Sequence, residues 1–227
     1  MSNIKETDET KEKIKQLNSL IQSHIGCKKF QLFIEPVKSP NIILFLKNGD
    51  EIVSHINIGC EYYNCEPGIL HIMTATSEKY QRQNYNQFLT AIMIILAGTL
   101  TYNDNRFTQI ADFTTVKARM NVLKKYELHK SNNELMTDEE KQAEIDNPDG
   151  VYSINLPLFD EDELTHELIP HLNQQIAWDV IHKLLNNNEK GIFCAQNSTT
   201  NGGKRKTKGK KSKKKRRNKH KKTYRLF

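Results

Sequence analysis

The apolar positions change period along the chain, and each change marks an element. In residues 9–25, Ile14, Leu17, Leu20, Ile21 and Ile25 recur three and four apart. That is the single stripe of an amphipathic helix, with Gly26 as its stop. Phe30 to Ile34 reads as a short strand ended by Pro36, and Asn41 to Leu46 (NIILFL) as a stronger one. Lys47-Asn48-Gly49-Asp50 is a tight turn, because Asn-Gly supplies the positive φ of a two-residue hairpin. Glu51 to Ile58 then alternates, predicting Ile52, Ser54, Ile56 and Ile58 on one face.

Cys60 to Gly68 has the composition of a loop, and Ile69 to Thr76 (ILHIMTAT) that of a strand. A polar run, SEKYQRQNYNQ, leads into a strongly apolar helix predicted over Asn86 to Tyr102. Its Phe88–Leu100 segment is too short to cross a bilayer and fits a buried helix. Strand, polar loop and buried helix make half of a βαβ unit. Phe107 to Phe113 is the returning strand, and Thr115 to Tyr126 a second helix with Val116, Ala118, Met120 and Leu123 facing in.

Residues 129–149 are polar and read as an exposed insertion with a short helix; Val151 to Leu156 is a last strand. In residues 160–187 Leu164, Leu168, Leu172, Ile176, Val180 and Leu184 recur every four residues, with Trp178 as core. Pro170 either breaks this helix or begins a second one.

Charge changes the picture. The chain has 34 Lys and Arg against 27 Asp and Glu, a formal +7. From Lys204 onward there are 15 of the basic residues and no acid, so residues 1–203 hold 19 basic and 27 acidic residues, a formal −8. The pI of 9.1 is therefore a property of the tail. A polycation with almost no apolar content repels itself and is expected to be disordered. The candidate polyanion-binding residues are Lys204, Arg205, Lys206, Lys210, Lys211, Lys213, Lys214, Lys215, Arg216 and Arg217. Three partners suit them: nucleic-acid backbone through counterion release, a nuclear-import receptor reading KKKRR, or an acidic protein or anionic membrane surface. No aromatic interleaves before Tyr224, so sequence readout is not expected.

The N-terminal MSNIKETDETKEK lacks the apolar core of a signal peptide, and Cys27, Cys60, Cys65 and Cys194 show no zinc-ligand spacing. The expectation is a soluble intracellular protein with thiols and no metal site. Glu161, Asp162 and Glu163 suit a helix start, and His166 and His171 lack a third ligand. No GxSxG, Walker loop or HExxH occurs.

The order of elements, with the loop Gln81-Arg82-Gln83-Asn84-Tyr85-Asn86, resembles the GNAT (N-acetyltransferase-like) acyl-CoA superfamily over roughly residues 30–157. In that family a strand runs into a Q/R-x-x-G-x-G/A loop that opens a helix. Here Asn84 and Asn86 replace the glycines, while Tyr80 and Leu89 fall where the family has an aromatic and a leucine. Leu123-Lys124-Lys125-Tyr126-Glu127-Leu128 is similar to the family's second signature, YxKLGF.

The resemblance implies an α/β domain with a GNAT-like mixed central sheet flanked by helices. Its organisation is a 1–28 N-terminal helix, a 29–158 GNAT-like domain, a 159–188 C-terminal helical segment, a 189–203 linker and a 204–227 basic tail. It implies acetyl-CoA or CoA held at Gln81, Arg82, Gln83, Asn84, Tyr85 and Asn86, where helix N–H groups favour a pyrophosphate. The loop also reads as an N-cap kept for structure.

For catalysis the candidates are His71 and Glu78 as bases and Tyr126 as the acid. The family's tyrosine aligns with Leu123, and its asparagine near Thr115 or Val116. His71 also reads as a satisfied residue of an apolar strand. The expected function is N-acyl transfer to an amine; the alternative is a non-catalytic scaffold anchored to nucleic acid. The basic C-terminus, with the Asn, Lys and Ile bias, also resembles proteins of large DNA viruses, which implies a virion or nuclear location.

Overall fold

The computed structural model describes residues 4–24, 27–36, 41–63, 66–146, 148, 150–156 and 168–186. Nine strands and five helices are built from them. The first strand, β1 (Ile4–Glu6), leads into α1 (Asp8–Ser23) through Thr7, whose side chain and that of Thr10 form a reciprocal capping box. Leu17 and Ile21 are the buried centre of the α1 stripe.

Strands β2 (Phe30–Pro36), β3 (Ile42–Asn48), β4 (Glu51–Tyr63) and β5 (Glu66–Thr76) form an antiparallel meander. Gly49 alone takes the positive φ of the β3–β4 turn, at 62°. The central helix α2 (Tyr85–Ala97) follows, then two short strands, β6 (Leu100–Tyr102) and β7 (Asn105–Arg106). β8 (Gln109–Thr114) returns parallel to β5. Helices α3 (Lys117–Leu123) and α4 (Asp138–Asp146), strand β9 (Gly150–Asn155) and helix α5 (Leu168–Asn186) complete the order.

The result is a mixed six-stranded sheet, ordered β2-β3-β4-β5-β8-β9, with a small sheet β1-β6-β7 beside it. Every residue of α2 from Phe88 to Ala97 is buried. A helix that is apolar all round must be covered all round, and α2 lies between the sheet and α1, α3 and α5. No helix among the described residues is long and apolar enough to cross a membrane.

The edge strand β2 is not left as a bare row of backbone groups. Asn18 on α1 accepts from Leu32 N (2.7 Å) and donates to Leu32 O (3.0 Å), and Gln22 donates to Phe30 O (3.1 Å). Side chains thus occupy the bonds another strand would seek. At the other edge, His129 and Ser153 exchange backbone bonds of 2.8 and 2.9 Å.

Several expectations are corrected. The predicted Cys60–Gly68 loop is mostly strand: β4 and β5 pair out to Tyr63 and Glu66, the long ladder overriding the Pro and Gly in the run. The alternation in β4 slips at Val53, which opposes no residue of β3. Val53 and Ser54 are both buried, and Ile52 turns outward at 42% exposure. The apolar helix stops at Ala97, and Leu100–Tyr102 pairs with β1 instead.

In α5, Pro170 sits in the first turn, where a missing N–H costs little. The buried stripe is Asn173, Ala177, Val180, Ile181, Leu184 and Leu185, so the true 3.6-residue period leaves Leu172 exposed and Trp178 half-buried. Cys27 is disulfide-bonded, against the expectation of thiols throughout; sequence spacing does not say which cysteines a fold brings together. The expected 189–203 linker, the basic tail with its ten named cations, and Glu161, Asp162, Glu163 and His166 lie outside the described residues.

Candidate active site

Among the described residues the sheet has one parallel pair, and it forks there. β5 and β8 are in register from Gly68↔Gln109 to His71↔Asp112 and no further. Beyond that point β5 stays with β4 as far as Thr76↔Ser54, and β8 stays with β9 as far as Thr114↔Gly150. Met73 and Phe113, just past the fork, are 46% and 60% exposed.

At the crotch stands a polar cluster, walled off from water. His71 and Asp112 are cross-strand neighbours with side chains 8% and 3% exposed, and Nδ1 lies 3.1 Å from Asp112 Oδ2. Arg119, on α3, reaches the same oxygen through Nε (2.8 Å) and also through Nη2. Its Nη1 donates to Thr90 Oγ1 (2.6 Å) and Asn86 Oδ1 (3.1 Å) on α2. One guanidinium therefore ties the strand β8 to the first turns of the central helix. Asp112 Oδ1 is buried with no hydrogen-bond partner among the described residues.

The electrostatics follow from that packing. Burial pushes the Asp112 carboxyl up, but the bond from His71 and the charges of Arg119 and His71 outweigh it and hold it below the ordinary value. A carboxylate facing Nδ1 fixes the proton on that nitrogen, so a neutral His71 presents the Nε2 lone pair. Nε2 lies 2.9 Å from Thr74 Oγ1.

A β-bulge makes this last contact. Ile58 opposes His71 and Ile56 opposes Thr74, while Ile72 opposes nothing on β4. Residues three apart on a regular strand face opposite ways; the extra residue brings His71 and Thr74 onto one face.

The loop Gln81–Asn86 opens α2. Arg82 and Asn84 take left-handed conformations, with φ of 60° and 63°. These are backbone shapes for which glycine is the usual choice. Asn84 stands at the N-cap position but makes no side-chain cap bond. Tyr85 is core: its ring stacks on Phe30 (6.2 Å) and meets Tyr80 edge-on (5.8 Å). Tyr80 in turn donates to Glu51 Oε2 (2.9 Å) beside Lys79, tying the loop to the β3–β4 turn. Gln83 donates to Lys79 O (3.2 Å), and Gln81 and Arg82 are exposed. Asn86 points inward, to Arg119.

Of the three catalytic candidates, only His71 joins the cluster. Glu78 is exposed on a single 3₁₀ turn, Glu78–Tyr80. Tyr126 is fully buried, its hydroxyl has no partner among the described residues, and burial raises its pKa far above tyrosine's ordinary range. Asp112, Arg119 and Thr74 escaped the sequence reading. Asp112 stands in an apolar strand, and Arg119 lies one turn before Leu123 on the inward stripe. Val116, expected inside, is 56% exposed because it precedes the helix as its extended N-cap.

No family model matches the chain, and no curated protein matches it.

Proposed function

We propose that the chain is an N-acyltransferase of the GNAT kind that its sequence resembles. It would take the acyl group of acetyl-CoA or a related thioester and place it on an amine. The observation that carries this reading is the His71–Asp112 dyad at the fork of β5 and β8. An amine must lose a proton to attack a thioester carbonyl, and His71 with its free tautomer fixed by Asp112 is a base built for that step.

The loop suits the donor. Arg82 and Asn84 adopt the backbone form in which glycine would serve, and Asn86 turns its side chain inward to Arg119, away from the loop surface. The N–H groups that open α2, with Gln81 and Arg82, would hold the pyrophosphate. The thioester supplies an activated carbonyl and a thiol leaving group. Tyr126, being sealed, is not assigned the leaving-group proton.

The scaffold reading draws on the burial of His71, since a structural ion pair is also dry. The two are separated by titrating CoA calorimetrically and assaying acetyl transfer to a panel of primary amines. Binding at micromolar to millimolar CoA, with transfer lost in His71→Asn at unchanged thermal stability, supports the enzyme. No heat at millimolar CoA removes it.

The basic tail, residues 204–227, would hold the protein on nucleic acid or another polyanion through charge alone. Deleting it should abolish retention on DNA at low salt; unchanged retention would contradict this.

A further inference from the structure

We propose that Thr74 is a nucleophile, so that the acyl group passes through an ester on its Oγ1 before it reaches an amine or water. This rests on the acyltransferase reading and goes past it, because simple base catalysis needs no covalent step.

Three observations converge on Thr74. The first is the chain of contacts Asp112 Oδ2–His71 Nδ1, 3.1 Å, and His71 Nε2–Thr74 Oγ1, 2.9 Å. Acid, imidazole and hydroxyl in that order are the arrangement that activates an alcohol for acyl transfer on unrelated folds. The second is the bulge at Ile72, without which Thr74 would point away from His71. The third is access. The His71 side chain is 8% exposed, whereas Thr74 is half-buried and lies past the last β5–β8 pair. Thr74 is thus the more exposed residue of the two and lies on the stretch of β5 that has parted from β8.

The step balances without a further reactant. Thr74 Oγ1 bonds to the thioester carbonyl carbon as its proton passes to His71 Nε2. The C–S bond breaks, and the thiolate takes that proton and leaves as the thiol. An amine or water then attacks the ester carbonyl and gives a proton to His71 Nε2. The C–O bond breaks, and the proton restores the Thr74 hydroxyl.

The test uses the full chain with acetyl-CoA and no amine, quenched in acid and read by peptide mass spectrometry. Rapid mixing with p-nitrophenyl acetate runs in parallel. One acetyl group on the Thr74 peptide and a nitrophenolate burst of about one per chain are expected. Thr74→Val should abolish both, Thr74→Ser should keep both, and His71→Asn should slow acylation by roughly 10²–10⁴-fold. Thr74→Ser also guards against a folding artefact, since it retains the hydroxyl. A chain that binds acetyl-CoA calorimetrically but carries no acetyl on Thr74 overturns the covalent step and leaves the acyltransferase reading standing. Amine acetylation undiminished in Thr74→Val does the same. A chain that neither binds acetyl-CoA nor gains acetyl overturns both.

Discussion

Replacing Arg119 with methionine tests whether the fork is held by charge in a dry interior. The substitution keeps a flexible stem of similar reach and deletes the guanidinium. It removes the Nε and Nη2 bonds to Asp112 Oδ2 and the Nη1 bonds to Thr90 and Asn86. Asp112 is then left as a carboxylate 3% exposed, with one oxygen unpartnered among the described residues and His71 on the other. Breaking a buried pair from one side costs about 3–5 kcal/mol, because the remaining charge stays buried. With a urea m-value of about 2 kcal/mol/M the midpoint should fall by roughly 2 M. Adding Asp112→Leu removes the stranded charge, and the double variant should recover part of the loss. His71 Nδ1 would still lack its acceptor, at about 1–3 kcal/mol. The double variant should therefore be about 2 kcal/mol more stable than Arg119→Met alone, and the two substitutions should be strongly non-additive. A single-variant loss below about 1 kcal/mol, or no coupling, would refute the picture of a desolvated bracket.

The other predictions concern groups whose burial or backbone shape is unusual. Tyr126→Phe removes a buried hydroxyl with no partner among the described residues, so it should be neutral or stabilise by up to about 1 kcal/mol; a loss above about 1 kcal/mol in thermal melts would contradict this. Because the Tyr126 pKa is raised in the fold, ionisation of the unfolded chain lowers wild-type stability as pH rises past tyrosine's ordinary value, about 10; Tyr126→Phe should lack that share of the alkaline loss. Asp112 has the opposite sign. Its lowered pKa contributes stability above the ordinary value of 3.8 that fades as pH falls through the lower folded value, so Asp112→Asn should flatten the acid limb in urea melts at pH 2–5. At Arg82, φ is 60°, and a left-handed non-glycine residue costs about 1–2 kcal/mol. Arg82→Gly should therefore gain roughly 0.5–1 kcal/mol after its own entropy cost, and Arg82→Ala should gain nothing.

Periodicity made the meander, the buried helix and the returning strand legible, because each is set by which side chains must leave water. Asn48-Gly49 marked the β3–β4 turn for a local reason, and Gly49 adopts the positive φ there. The failures share a different cause. The bulges at Val53 and Ile72 arise from pairing between strands, and a bulge changes the facing of everything after it. The β1-β6-β7 sheet depends on Ile4–Glu6 finding Leu100–Tyr102, nearly a hundred residues further along the chain. His71 could be seen, but not its role, since a histidine in an apolar strand looks the same with or without Asp112 beside it. Arg119 was hidden because a long cation on an inward stripe is ordinarily read as a surface residue.

Those hidden residues are the ones that make the fork specific. An apolar seam would hold β5, β8 and α2 together as well or better, since a buried ion pair is a poor source of stability. What it would not do is fix one spacing. Arg119 has two bonds on one Asp112 oxygen and two more on Thr90 and Asn86, so a shift of α2 along β8 breaks several bonds at once. Asn86 is also the last residue of the loop proposed to hold the donor, and Asp112 orients the proposed base. One side chain therefore sets the separation between the donor loop and His71. In the acyltransferase reading that separation decides whether the carbonyl meets the hydroxyl of Thr74, and a misplacement of about 1 Å can cost 10²-fold in rate.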